Sequence, residues 1–247
     1  MPRAALALLL LPCALHAQEW RQHALDRPLP TVVHPGGAAL IPPPADAIIL
    51  FDGTHGLRGW RTSRDSSDAR WRAVGDAMEV VAGQGGIETR LGFGSVQLHL
   101  EWMTPAAVRG EGQDRGNSGV FLMGRYEVQV LDSWENRTYA DGQAAAIYGQ
   151  YPPLVNASLP PGTWQSYDII FRRPRFDNAG QVTQPARLTV FHNGVLVQDD
   201  VPLLGPTSHM VRAPYEAHAD RLPIALQDHG APVRFRNIWV RPLHDRP

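Results

Sequence analysis

The sequence predicts an all-β protein, a sandwich or jelly roll built from two packed antiparallel sheets. Three observations carry that expectation. From Ile48 onward, short apolar runs recur with a period of two. No stretch of roughly 10 to 15 residues carries a helical stripe, so nothing supplies the crossover helices of a parallel sheet. The chain also holds 22 Pro and 23 Gly, the punctuation of many strands joined by turns.

The elements follow in order. Arg3, the apolar run Ala4 to Leu11 and the small-residue end Ala14-Leu15-His16-Ala17 form the pattern of an export signal over residues 1–17. About eight apolar residues cannot cross a bilayer, which needs about 20, and no other segment is apolar enough to span one. Cleavage after Ala17 would remove Cys13, the one cysteine, and leave a protein without thiol or disulfide. Pro12 argues against the rival reading, a lipid anchor on Cys13. Residues 18–45 form a polar and then proline-rich leader ending in Pro42-Pro43-Pro44, expected as an extended arm. Residues 46–247 form the sandwich domain.

Within it, Ile48 to Phe51 is a strand entering a turn at Asp52-Gly53, and Met78 to Val81 a brief strand between glycines. In Val96 to Met103, the side chains Val96, Leu98, Leu100 and Trp102 share one face. Val120 to Leu131 reads as a strand pair broken at Gly124. Ser166 to Arg172 alternates. Leu188 to His192 turns at Asn193-Gly194 into Val195 to Val197, the strongest short hairpin signal in the chain, which makes His192 a surface residue. Val233 to Val240 shifts phase near Arg236-Asn237, as a bulge would cause.

Composition narrows the function. Hydrophobic residues make up 43% and charged residues 19%, with a net charge of −1, so there is no basic surface for nucleic acid or an anionic membrane. The absence of Lys rules out a lysine Schiff base. There is no phosphate loop, no Gly-x-Ser-x-Gly elbow and no His-Glu-x-x-His helix. His55, His192, His209 and His218 lack ligand spacing. Acidic loops leave room for a divalent ion, but nothing specifies a metal site, and no cofactor is expected.

Two polar stretches remain. In Arg125 to Asp132, alternation places Arg125, Glu127 and Gln129 on one face and Tyr126, Val128 and Val130 on the other. A cation, a carboxylate and an amide in one row can hold a polar ligand, with Arg125 keeping Glu127 ionised; the alternative is a solvated row with a cross-strand ion pair. The row is flanked by the loop Arg115-Gly116-Asn117-Ser118-Gly119 and by a segment bearing Trp134, Tyr139, Gln143, Tyr148 and Gln150. That mixture of rings and amides suits a sugar-like ligand bound between Arg125 and Gln150. The second stretch is Leu226-Gln227-Asp228-His229-Gly230. Either His229 exchanges protons there with Asp228 orienting it, or Asp228 caps a turn.

Five stretches, in order, resemble the bacterial 3-keto-disaccharide hydrolase family. They are Leu50-Phe51-Asp52-Gly53 with Gly59-Trp60; Gly116 to Leu122 followed by Tyr126 to Asp132; Ala146 to Gln150; Gly162 to Gln165; and Leu226 to Gly230. The resemblance covers roughly Ile48 to Leu243. It implies a concanavalin A-like jelly roll that cleaves glycosides whose sugar carries a ketone at C3. The ketone acidifies the C2 hydrogen, so a base can remove it, the C1 substituent can leave by elimination, and water can then add. The resemblance casts Glu127 and His229 as the proton-transfer residues, with Asp228 orienting His229. Asn117, Arg125 and Gln129 would bind hydroxyls or polarise the ketone, and Trp134 and Tyr148 would form a ring-binding wall beside Gln150 and Gln227.

Other readings stay open. Glu127-x-Gln129-x-x-Asp132 is similar to the carboxylate motif of laminarinase-like glycosidases, though residues five apart in a regular strand face opposite sides. A non-catalytic carbohydrate-binding module and an exported protein-contact sandwich are the others.

Overall fold

A computed structural model describes residues 20–37 and 41–245. The expected export signal and Cys13 lie outside the described residues. Among the described residues the chain folds as two main antiparallel sheets packed face to face, with two small two-stranded sheets beside them. The larger runs in the order Val195–Pro202, Arg187–His192, Gln165–Arg172, Val96–Met103, Arg234–Pro242, Ala77–Glu79, Arg72–Val74, with Ile48–Phe51 also paired to Arg234–Pro242. The smaller runs Trp60–Thr62, Ile87–Phe93, Leu222–Leu226, Ser118–Leu122, Tyr126–Val130.

Period-two patterning builds the core between them. Leu98, Leu100, Trp102, Tyr167, Ile169 and Phe171 point inward from the larger sheet, and Val120, Leu122, Tyr126, Val128, Ile224 and Leu226 meet them from the smaller. The two sheets are also stitched by a hydrogen bond, the Tyr167 hydroxyl donating to the Gln129 carbonyl at 2.7 Å. Asn193 and Gly194 adopt φ of +52° and +78°, the two left-handed residues a type I′ hairpin requires. The last strand slips register between Arg236 and Trp239, with Asn237 at φ +46°, which is the bulge its phase shift foretold.

His192 departs from expectation. It is buried, its Nε2 lies 2.9 Å from Gln165 Oε1, and its ring stacks on Trp102. Burial pushes its pKa down to about 3, so it is a neutral core residue. The outer face of the larger sheet is not simply solvated either. His99 is buried against Trp239 and bonded to Asp168, and Glu101 pairs with Arg236.

The leader is extended, as expected, but it is bound to the domain. Thr31–Val32 pairs in parallel with Val155–Asn156, and the Val33 amide donates to the Asn156 carbonyl. Two residues are too few to leave a period in the sequence. They fix the arm across the domain, with consequences for the site.

Candidate functional site

In Ser118–Leu122, Tyr126–Val130 and Leu222–Leu226, alternation buries the even positions in the core and turns the odd ones to the other face. Asn117 and Phe121, Glu127 and Gln129, and Gln227 and His229 thereby converge on one cavity of about 240 Å³. Tyr148, Thr207, Ser208 and His209 complete its lining. Tyr126–Val130 is the edge strand of its sheet, and the segment after it covers that edge. The amide of Ala145 donates to the Gln129 carbonyl, the Gln129 amide to the Ala146 carbonyl, and the Tyr148 amide to the Glu127 carbonyl. This pairing sets Tyr148 beside Glu127.

Glu127 is 5% exposed and its carboxyl faces no cation. Burial alone pushes its pKa up to about 8, so it is predominantly the neutral acid at pH 7. Arg125 does not keep it ionised. Arg125 sits in the turn before the strand, does not line the cavity, and acts electrostatically on the Tyr126 phenol. The Gln129 amide is the nearest polar partner. With its nitrogen toward Glu127 it donates to Oε1 at 3.1 Å and to the Ser118 carbonyl at 2.9 Å. With its oxygen turned there instead, it accepts from the protonated acid, so the amide suits either protonation state. Gln227 adds a buried Oε1 with no protein partner among the described residues. An orphaned acceptor in a cavity wall is what a ligand hydroxyl would satisfy.

The proposed orienting role of Asp228 does not hold. Its Oδ2 accepts from the Gly85 amide and its Oδ1 from the Gly230 amide, both at 2.9 Å, so it shapes the turn that carries His229. Gln150 is structural too, accepting from the Leu204 amide and donating to the Gly205 carbonyl. Trp134 lies away from the cavity with its ring 5.8 Å from His34 of the arm. Asp132 is buried, paired with Arg115 at 2.7 Å and bonded to the Trp134 amide, and it does not line the cavity. The carboxylate pair of a laminarinase-like site is therefore not assembled.

A model of the 3-keto-alpha-glucoside-1,2-lyase-like domain matches residues 46–241. The chain belongs to that family. A solved structure from Parabacteroides distasonis, described as a "putative glycosyl hydrolase", is 41% identical, covers 87% of this chain and 93% of its own, and superposes with a TM-score of 0.79. A second structure of that description and organism is 18% identical over 81% of this chain and 94% of its own, TM-score 0.57. It shares the fold. The comparison with curated proteins finds no match.

Part of what packs around the cavity lies outside the family match. His23 of the arm stacks on Tyr139 with ring centroids 4.0 Å apart, and lies 5.1 Å from the Tyr148 ring and 5.0 Å from His209. The Tyr148 hydroxyl bonds Tyr139 and His209 Nδ1, each at 3.0 Å. The arm is locked by the His23 amide donating to Asp141 Oδ2, by Gln22 donating to the Ser208 carbonyl, and by Arg212 donating to the Trp20 carbonyl. Gln22 also packs on Gly149, where a Cβ would collide with its amide. Tyr139 belongs to the ring-bearing segment the sequence marks, whereas nothing in the sequence marks His23 or His209 as site residues. They come from the arm and from irregular loops, where no period marks an inward face. Two other cavities lie elsewhere, among arginines paired as Arg173 with Asp220 and Asp245, and Arg187 with Asp200.

Proposed function

We propose that the cavity binds the oxidised ring of a 3-keto-glucoside and cleaves its C1 bond by elimination followed by hydration. The observation that carries this reading is Glu127, a carboxylic acid kept neutral by burial in a cavity it shares with an imidazole. A neutral acid in a buried setting can donate a hydrogen bond to an oxygen that gains negative charge. A C3 ketone becoming an enolate is such an oxygen.

His229 then acts as the base. It removes the C2 proton, the electrons of that C–H bond pass through the enolate to expel the C1 substituent, and the departing oxygen takes up the proton from the imidazolium. Water adds at C1 of the resulting enone, and a proton returned to C2 gives the free 3-keto sugar. Asn117, Gln129 and Gln227 would bind the ring hydroxyls, and Tyr148 would lie along one side of the ring. No cofactor is invoked. The signal-like N-terminus supports action outside the cytoplasm.

The test offers purified protein a 3-keto-α-glucoside beside the unoxidised glucoside. Cleavage of the keto form alone is expected, with solvent deuterium entering C2. Cleavage of the plain glycoside at a comparable rate would sink the reading, and binding without turnover would favour a carbohydrate-binding role.

A further inference from the structure

His229 lines two cavities. On one side is the polar cavity of about 240 Å³; on the other is a larger groove of about 580 Å³. The boundary between them is made by His229 and by neighbours in sequence, Gly116 lining the groove and Asn117 the cavity. The two surfaces differ in chemistry. The cavity presents three amides and a carboxyl, whereas the groove is walled by Pro105, Ala107, Val108, Ala231 and Pro232, with Arg109 and Asp114 also in its lining. Apart from His229, no aromatic and no amide side chain lines it. Arg115, at its edge, is already committed to Asp132 and to the Trp134 carbonyl.

We infer that the groove is the leaving-group subsite, and that it favours 3-keto-glucosides carrying an apolar, ring-containing aglycone over those carrying a small one. The inference rests on the reading that the polar cavity holds the keto ring. With that ring beside Glu127, its C1 substituent must pass His229, and the surface continuous with His229 is the groove. A hydrocarbon ring there would cover Val108, which is 48% exposed, together with the prolines and alanines, and the hydrophobic gain needs no polar partner.

The experiment compares methyl and benzyl 3-keto-α-glucosides with the full chain. Methanol and benzyl alcohol are leaving groups of similar acidity, so a difference between the two reports binding rather than chemistry. The benzyl compound is expected to exceed the methyl compound in kcat/KM by about tenfold, as burial of one phenyl ring would give. Val108→Asp should bring the benzyl-to-methyl ratio toward one, with an unchanged melting temperature showing that the fold persists. Equal turnover of benzyl and methyl compounds, or a ratio untouched by V108D, would overturn the subsite and leave the elimination reading standing. No turnover of any keto-glucoside would overturn both.

Discussion

The Glu127 carboxyl rests directly over the Cα of Gly119 on the neighbouring strand, so that a Cβ built on Gly119 would overlap Oε1. Gly119 pairs with Gln129 and Phe121 with Glu127, and the carboxyl thus reaches diagonally into space that any side chain at 119 would fill. Gly119→Ala should therefore push the acid aside while the strand pairing persists. The expected result is a drop in kcat/KM of about 100-fold, the scale of a misplaced catalytic group, with a stability loss of about 1–3 kcal/mol in denaturant titration. An alanine variant with wild-type turnover would mean that the position of this carboxyl does not matter to the reaction.

The protonation of Glu127 sets a pH dependence. If its neutral form donates to the enolate oxygen, kcat/KM should fall as pH rises through about 8. Glu127→Gln keeps a neutral donor, so it should retain measurable activity and lose that descending limb, while Glu127→Ala should lose more. A carboxylate base would give the opposite: activity rising through pH 8 and none in the glutamine variant.

The same group links stability to pH. Its folded pKa lies above the unfolded value, so the folded state holds its proton more tightly. That contribution is complete below about pH 4.5 and is lost at up to about 1.4 kcal/mol per pH unit until about pH 8. E127Q should melt higher than the parent chain at pH 8, with the gap narrowing toward pH 4.5. Parallel melting curves across this range would show that the carboxyl is solvated in the folded protein.

Asp228 supplies a contrast with its neighbour. Its carboxylate accepts two backbone amides, so Asp228→Ala should cost about 1–3 kcal/mol in stability and leave the pH profile of kcat in place. His229→Gln should leave stability nearly unchanged and abolish deuterium entry at C2. If D228A shifted the pH profile instead, Asp228 would have to be tuning the imidazole after all.

The arm offers a further test. His23→Ala removes a stacked ring from Tyr139, an interaction of about 0.5–1.5 kcal/mol, and should raise KM severalfold through Tyr148 and His209 with a smaller effect on kcat. Phenylalanine at 23 should restore much of the loss. An unchanged KM in the alanine variant would make the arm a passive cover.

Much of the architecture was legible in the sequence because a strand's side chains alternate. The parity that buries Tyr126, Val128 and Leu226 also sends Glu127, Gln129, Gln227 and His229 to the outer face. The hairpin at Asn193-Gly194 and the bulge at Asn237 were readable from backbone chemistry. Where regular alternation stops, so does the signal. Arg125 occupies a turn and leaves the row it seemed to share, and Trp134 and Gln150 lie in irregular backbone whose direction no period reveals. Glu127's charge state was misjudged for a related reason, since burial of the loop over the strand edge, not the nearest cation in sequence, decides it.

The docking of the arm also bears on when the protein becomes competent. Residues 20–32 leave the ribosome long before the segments they clasp, which extend to Asn156 in the paired strand and to Arg212 beyond the cavity. His23 must wait, unpartnered, through the synthesis of more than a hundred residues before Tyr139 and Tyr148 exist to receive it. The wall of the cavity is thus closed by the earliest part of the described chain, and a chain lacking the segments that carry Tyr139, Tyr148 and His209 would leave His23 without the rings it packs against.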